Sequence, residues 1–243
     1  LHVHSRQAEA IPEQLFALAW QAVSPIVQFE LDPDNDQLVR LAPRGAALAR
    51  QRSNAPMLQP GDVLLPVFRR LARGGEVVEG GIQVVPWTYL EVADSTNDDA
   101  PISARIHSGN RRPFGVRRQG RVEQAAIALR AEPAATTLRL HSRAALEKPL
   151  VGYTVYAQKS GSGAAVSNYS PSESVIQLGA TDLAGKLSVP PGETRIRTLY
   201  LKNGEQVLAR LPIVPGAEPL IDVPLPDDDP RLAAEARLAA LRE

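Results

Sequence analysis

Residues 195–211, RIRTLYLKNGEQVLARL, indicate a β-hairpin and guide the interpretation of the rest of the chain. Apolar and polar residues alternate on both sides of residues 202–205, as expected of strands that each bury one face. The dipeptide Asn203-Gly204 tolerates positive φ at both central positions of a two-residue turn. We therefore predict an antiparallel hairpin with Asn203 and Gly204 at the centre of its turn.

Short strand-like segments surround this hairpin from about residue 134 to residue 226. They are Thr136–Ser142, residues 150–157, residues 175–179, residues 185–189, and Leu220–Leu225, the last read as an edge strand. In residues 181–185 we expect the Asp182 carboxylate to cap a turn and Gly185 to take positive φ. Residues 159–171 are rich in serine and glycine, which predicts a loop. This part of the chain is therefore predicted to be an all-β domain.

The same region resembles the transthyretin-like or carboxypeptidase-regulatory-like β-sandwich family. The likeness rests on residues 149–156 (PLVGYTVY) and 181–192 (TDLAGKLSVPPG), where a strand is followed by a Thr-Asp-x-x-Gly turn and a second strand. It covers about residues 134–226. The resemblance implies an immunoglobulin- or transthyretin-like sandwich of the kind found in secreted or surface modules, and hence an extracytoplasmic location in the periplasm or at the cell surface.

A separate set of strand-like segments precedes it, from residue 26 to about residue 130. Ile26–Leu31 and residues 37–41 flank an acidic turn and predict a hairpin. Further strands are predicted at residues 63–70, 82–92, 102–107 and 122–129, with Pro86 marking an edge or a bulge in the long segment 82–92. Several short strands separated by turns favour a small barrel. Residues 61–63 and the later Trp87 give this set a faint resemblance to an SH3-like barrel.

The two ends of the chain have helical patterns. Leu15, Phe16, Ala19, Trp20 and Val23 recur at helical spacing near the start, and Asp229-Pro230 is typical of a helix N-terminus near the end. We expect the natural chain to extend beyond both ends. The predicted organisation is an N-terminal helix (1–25), a small β-barrel-like domain (26–132), a transthyretin-like β-sandwich (133–227) and a C-terminal helix (228–243).

Composition excludes several classes of protein. The 243 residues contain no cysteine, which rules out disulfide scaffolds, thiol nucleophiles and thiolate metal sites. Lys plus Arg and Asp plus Glu both total 27, so the chain lacks the net positive charge typical of nucleic-acid-binding proteins. No apolar run is long enough to predict a membrane span. We therefore expect no nucleic-acid partner and no membrane span.

Recognisable catalytic, cofactor and metal motifs do not occur in the sequence. There is no Gly-x-Ser-x-Gly elbow, no Ser-x-x-Lys pair and no P-loop. Asp32, Asp34 and Asp36 have the alternating spacing of a calcium loop, but Gln37 replaces its glycine. His107 and His141 are predicted on strands that are far apart in sequence. We therefore predict no metal site, no cofactor and no catalytic residues.

The most unusual local feature is a run of arginines. Residues 105–121 contain Arg105, Arg111, Arg112, Arg117, Arg118 and Arg121 and no acidic residue. Gly109 and Asn110 suggest a hairpin tip, from which several guanidinium groups could project together toward carboxylate or phosphate groups. Trp87 and Tyr89 are two residues apart and are predicted to share one strand face. These eight residues are the predicted binding site.

Together these observations favour a non-enzymatic, extracytoplasmic interaction or scaffold module. Its partner would be a protein or an anionic polymer of the cell envelope. Two alternatives stay open. The chain could be, or could accompany, a hydrolase with dispersed Asp, Glu and His residues, or it could be a purely structural spacer. A cleft in which His107 or His141 meets a carboxylate would favour the hydrolase. A flat surface bearing arginine or aromatic residues would favour the interaction module.

Overall fold

The computed structural model of the protein describes residues 11–12, 14–15, 24–43, 58–93, 102–114, 121–158 and 175–226. Over this part of the chain the protein is mainly β, as the sequence predicts. The contacts divide it into two compact units, Leu1–Glu132 and Pro133–Glu243. Residues 11, 12, 14 and 15 are helical. The rest of the N-terminal helix, the C-terminal helix and the predicted 159–171 loop lie outside the described residues.

The first unit contains a closed antiparallel barrel. Its strands are β1 (Ile26–Leu31), β2 (Leu38–Pro43), β3 (Val63–Leu71), β4 (Val77–Val84), β5 (Thr88–Val92), β6 (Ser103–Ser108) and β7 (Arg121–Ala128). Six of them follow the order β3-β5-β6-β2-β1-β7, and pairing of β7 with β3 closes the ring. β4 pairs with the second half of β3, beside the ring. The barrel predicted from the short alternating strands is therefore present.

Alternation along the strands fills the barrel interior. Val27, Val39, Leu64 and Leu90 are completely buried, and the residue that directly follows each of them is more exposed. After β6, the chain turns inward at Phe114. Its ring lies 4.9 Å from that of Phe29 and 6.3 Å from that of Phe68, centroid to centroid, in edge-to-face packing. The core of this unit is thus aliphatic, with one aromatic cluster.

The described residues of the second unit form seven strands in two sheets. They are β8 (Thr136–Ser142), β9 (Thr154–Gln158), β10 (Val175–Ala180), β11 (Lys186–Val189), β12 (Arg197–Asn203), β13 (Gln206–Ile213) and β14 (Leu220–Leu225). One sheet has the order β10-β9-β12-β13 and the other the order β11-β8-β14. The edge strand β14 is present as predicted, and it pairs in parallel with β8. Leu138, Leu140, Val155, Leu199 and Ile213 are completely buried.

Two turns of this unit show how single residues shape it. The Asp182 carboxylate accepts hydrogen bonds from the backbone N–H groups of Ala184 and Lys186, at 2.9 and 2.8 Å. Gly185 has a φ of 70°, and a Cβ there would lie 2.4 Å from the Leu140 carbonyl oxygen. The cap and the positive φ are therefore confirmed.

The hairpin of β12 and β13 is also confirmed, but its turn is placed one residue later than predicted. Asn203 pairs with Gln206, so the central residues are Gly204 and Glu205. Only Gly204 has positive φ, at 56°. Glycine at the first central position is the arrangement of a type II′ turn. The prediction that Asn203 and Gly204 occupy the centre is therefore wrong.

Two predictions about the first unit are also corrected. The long strand predicted at residues 82–92 is broken, because β4 ends at Val84 and Pro86-Trp87 form a turn before β5. Within the described residues, β6 and β7 do not form the hairpin predicted in the arginine run. β6 pairs with β5 and β2, whereas β7 pairs with β1 and β3. In the ring these two strands are three positions apart, on opposite walls of the barrel.

Candidate binding surface

The candidate site lies on the outer wall formed by β5 and β6. Leu90 and Val92 of β5 are buried, and so is Ala104 of β6, so alternate residues between them point outward. The outward residues form two rungs of the ladder, Tyr89 opposite His107 and Glu91 opposite Arg105, with the inward Leu90–Ile106 rung between them. We call these four residues the β5–β6 face. The sequence alone does not show that these four residues are close together, because ten residues separate β5 from β6.

A hydrogen bond joins two residues of this face. Glu91 Oε2 lies 2.8 Å from His107 Nε2, and each side chain is a little over one quarter exposed. The hydrogen bond from His107 lowers the pKa of the Glu91 carboxyl below its usual value, against the opposing effect of burial. Arg105 contributes a smaller electrostatic effect in the same direction. Glu91 is therefore held as a carboxylate beside exposed Arg105.

Trp87 lies next to this face in a strained turn. Its φ is 53°, the left-handed region that bulky residues rarely occupy. Its carbonyl oxygen accepts a hydrogen bond from the N–H of Gly109 at 2.9 Å. The ring side chain is partly exposed. Because Trp87 lies in the turn and not in β5, the predicted sharing of one strand face with Tyr89 does not hold.

Polar side chains hold the Trp87 turn against the end of β6. The Pro86 carbonyl oxygen accepts hydrogen bonds from Thr88 Oγ1 and from Asn110 Nδ2, both at 3.2 Å. Thr88 Oγ1 and Ser108 Oγ are 2.9 Å apart, and the N–H of Asn110 donates to Ser108 Oγ at 3.0 Å. The strained conformation is therefore determined by its surroundings, which is how strained backbone persists in folded proteins.

The structure brings together only part of the predicted arginine group. Arg105 is on the β5–β6 face, and the exposed Arg111 and Arg112 directly follow Asn110. Arg121 starts β7 on the opposite wall, where its guanidinium donates to the Arg73 carbonyl oxygen at 2.9 Å. Arg117 and Arg118 lie outside the described residues. A single surface of six arginines is therefore not formed.

The other candidate residues have local structural partners. Asp32 accepts hydrogen bonds from the N–H of Asp34 and from Arg40 Nε, both at 2.9 Å, as in an ordinary acidic turn. The backbone N–H and Arg40 lower the pKa of the Asp32 carboxyl. His141 is buried, with Nδ1 2.8 Å from the Ser142 carbonyl oxygen. Within the described ranges no three His, Asp or Glu side chains are grouped to hold a metal ion.

Sequence reasoning missed Glu91 and Asn110. Glu91 has no motif around it, and its role depends on the register of β5 against β6. The sequence predicts Asn110 at the tip of a hairpin, whereas in the structure its side chain donates a hydrogen bond to the Pro86 carbonyl oxygen in the Trp87 turn. The sequence offers one indication of this site: Glu91 and His107 both lie in segments of alternating apolar and polar residues, at positions expected to point away from the core.

Chemically, the surface combines guanidinium groups, an imidazole and two aromatic side chains. Guanidinium groups bind carboxylates and phosphates in bidentate geometry, and tryptophan and tyrosine provide stacking surfaces with a polar edge. The groove found in the described part of this unit is lined by residues of β1, β2 and β7, and neither His107 nor Glu91 lines it. The His107–Glu91 pair therefore lies on an open strand face and not in that groove.

No helix within the described ranges has the length and apolar character needed to cross a membrane. In comparisons with known proteins, the chain matches no protein-family model, no curated protein and no solved structure.

Proposed function

We propose that the chain is a non-enzymatic, extracytoplasmic interaction module that binds an anionic partner through Trp87, the β5–β6 face and the adjacent Arg111 and Arg112. The observation that supports this most directly is the strained, partly exposed Trp87. Its turn is held by hydrogen bonds from Gly109 to the Trp87 carbonyl oxygen and from Asn110 to the Pro86 carbonyl oxygen. Backbone strain of this kind is concentrated at binding and catalytic sites. Arg105, Arg111 and Arg112 outnumber Glu91, so the surface favours negatively charged groups.

The extracytoplasmic assignment rests on the second unit. The proposal is supported by the seven described strands in two sheets, the capped Asp182 turn and the positive φ of Gly185. We therefore propose that this unit is a transthyretin-like module of the kind found in secreted or surface proteins. The partner would be an acidic protein segment or an anionic polymer of the cell envelope, since both present carboxylate or phosphate groups.

Isothermal titration calorimetry with two probes, poly-glutamate and a linear polyphosphate, tests the proposal. Replacing Arg111 and Arg112 by serine should weaken binding of at least one probe about tenfold or more, because exposed guanidinium groups contribute through charge-assisted hydrogen bonds. Arg121→Ser removes an exposed arginine on the opposite wall and is the matched control, which should bind as the original chain does. Equal losses in both variants, or no binding of either probe, would overturn the proposal.

The His107–Glu91 pair favours a second candidate, a hydrolase in which the imidazole acts as a general base oriented by the carboxylate. A panel of activated carboxylic and phosphoric esters tests it. If the chain hydrolyses an ester and both His107→Ala and Glu91→Gln abolish this activity while keeping probe binding, the hydrolase proposal is supported over the interaction module. Turnover unaffected by these substitutions would exclude the pair as a catalytic site.

A further inference from the structure

We infer that Asn203 is a site of spontaneous covalent modification, at which the side-chain amide is lost and aspartate or isoaspartate is formed. Asn203-Gly204 is the one Asn-Gly dipeptide in the sequence. It joins β12 to β13 in the second unit, whereas the proposed function is assigned to a surface of the first unit. The modification site is therefore independent of the proposed function.

The reaction joins two groups that the covalent structure already holds near each other. The Gly204 amide nitrogen gives its proton to water or hydroxide and attacks Cγ of Asn203. The C–N bond of the carboxamide then breaks, and its nitrogen takes up a proton and leaves as ammonia. Water adds to either carbonyl carbon of the resulting five-membered succinimide ring and breaks the bond from that carbon to the ring nitrogen. Opening at Cγ gives aspartate, and opening at the main-chain carbonyl carbon gives isoaspartate, in which the chain continues through Cγ.

Gly204 leaves the attacking nitrogen accessible. The residue is exposed, and it has no side chain to hinder the approach of the Asn203 carboxamide. Among the described residues, no backbone carbonyl oxygen accepts a hydrogen bond from the Gly204 N–H. Removal of that proton therefore breaks no backbone hydrogen bond of the turn.

The end of this hairpin is held weakly enough for the ring to close. Among the described strands, β13 lies at the edge of its sheet and pairs with β12 alone. The register shifts between Leu201 and Lys202, so only two rungs lie between this bulge and the turn. Residues 204–207 are exposed. Short terminal segments of this kind open locally at low free energy, so Asn203 reaches the ring-closing conformation without unfolding of the whole unit.

The two other asparagines in the described ranges lack these features. Asn35 Oδ1 accepts a hydrogen bond from the Gln37 N–H at 2.9 Å, and Asn110 Nδ2 donates to the Pro86 carbonyl oxygen at 3.2 Å. Neither asparagine is followed by glycine. Both are therefore internal controls, and Asn203 should be modified at least tenfold faster than either, because a side chain on the next residue hinders the attacking nitrogen.

The product changes the hairpin as well as its charge. Isoaspartate lengthens the main chain by one carbon within a turn whose closing pair is Asn203 and Gln206. Loop length and turn type together determine the register of a hairpin, so the longer main chain disrupts the type II′ turn. Modification of Asn203 thus limits how long the second unit keeps its original hairpin.

The test incubates the full chain at neutral pH and follows residue 203 by trypsin digestion, chromatography and mass spectrometry. Cleavage after Lys202 and Arg210 places residue 203 in a peptide with no other asparagine. Incubation should yield both an aspartate and an isoaspartate form of this peptide, whereas direct hydrolysis of the side chain would give aspartate alone. A sample digested without incubation corrects for modification during the digestion.

Two substitutions separate the ring mechanism from other losses of the amide. Asn203→Gln requires a larger ring, and Gly204→Ala places a methyl group beside the attacking nitrogen, so each should slow modification at residue 203 at least tenfold. Gly152→Ala is the matched control for strain, because Gly152 is also exposed, has a φ of 77° and has open space at its Cβ position. It should leave the rate at residue 203 unchanged.

Three results would each overturn the proposal. In the first, residue 203 of the folded chain stays unmodified for as long as a urea-unfolded sample needs for conversion. In the second, aspartate forms without isoaspartate. In the third, residue 203 is modified no faster than residues 35 and 110, or Gly204→Ala leaves its rate unchanged.

Discussion

Trp87 shows how one residue links stability to the proposed function. Left-handed φ is accessible to glycine at little cost, whereas a bulky side chain there is strained by about 1–3 kcal/mol. The conformation is kept by hydrogen bonds from Gly109 and Asn110 to the turn carbonyls. We infer that this free-energy cost of the left-handed backbone is tolerated because the turn places the indole ring beside the β5–β6 face.

We predict that Trp87→Gly is more stable than Trp87→Ala, by about 1 kcal/mol, because both lose the ring but only alanine keeps the backbone strain. This reverses the usual preference for alanine over glycine within regular structure. Urea unfolding of the two variants measures the difference. Equal stabilities, or a more stable alanine variant, would show that the turn relaxes and stores no strain.

Glu91 is expected to make stability depend on pH. Its folded-state pKa is lowered, mainly by the hydrogen bond from His107, so its contribution is fully present above the unfolded-state pKa. The contribution is lost as pH falls through the lowered, folded-state pKa. Because Glu91 is partly solvent-exposed, we expect less than about 1 kcal/mol.

The corresponding measurement compares the original chain with Glu91→Gln between neutral pH and about pH 3, a range that spans the usual titration of glutamate. The original chain should lose more free energy of unfolding on acidification than the variant does. Glu79→Gln, an exposed position on β4, serves as the control and should follow the original chain. Parallel curves for the original chain and Glu91→Gln would argue against a stabilising Glu91–His107 hydrogen bond.

At the scale of elements, Thr181 connects the loop after β10 to the segment before β9. Its buried hydroxyl donates to the Leu150 carbonyl oxygen at 2.6 Å and accepts from the N–H of Tyr153 at 3.0 Å. Two backbone groups, 31 and 28 residues before Thr181 in the sequence, thus depend on its side chain. Removal of the hydroxyl would leave both without that partner, and a buried, unsatisfied polar group costs about 1–3 kcal/mol.

We predict that Thr181→Val destabilises the second unit by about 2–4 kcal/mol, since valine keeps the shape but provides no hydrogen bond. Thr137→Val, at a half-buried strand position, should change stability by less than about 0.5 kcal/mol. Chemical denaturation followed by a signal from the second unit compares them. If the two substitutions cost the same, the Thr181 hydroxyl does not hold the two segments together.

For the whole molecule, the two units have separate buried cores. Leu90 belongs to a cluster made of residues of the first unit, whereas Leu199 is buried in the four-stranded sheet of the second. A domain with its own core can unfold as a cooperative unit.

Calorimetry of the full chain should therefore show two transitions. Leu90→Ala should lower one of them and Leu199→Ala the other, each by about 2–5 kcal/mol of unfolding free energy, because both create a cavity at a completely buried position. A single transition that both substitutions move would mean that the two cores unfold together.

The sequence by itself determined the features that depend on nearby residues. Alternation identified most strands, including those of the β12–β13 hairpin, and turn chemistry identified the roles of Asp182 and Gly185. These follow from side-chain direction along a strand and from the allowed φ of single residues. Even here the turn was placed one residue early, because dipeptide preference does not determine which pair of residues closes a hairpin.

Only the tertiary structure decided which strands are neighbours. An alternating strand can pair with many others, and the choice is made by burial of the whole barrel rather than by local pattern. That choice placed Arg105 and Arg121 on opposite walls, although both belong to one arginine run. It also brought Glu91 to His107, because strand register and barrel closure are non-local properties of the chain.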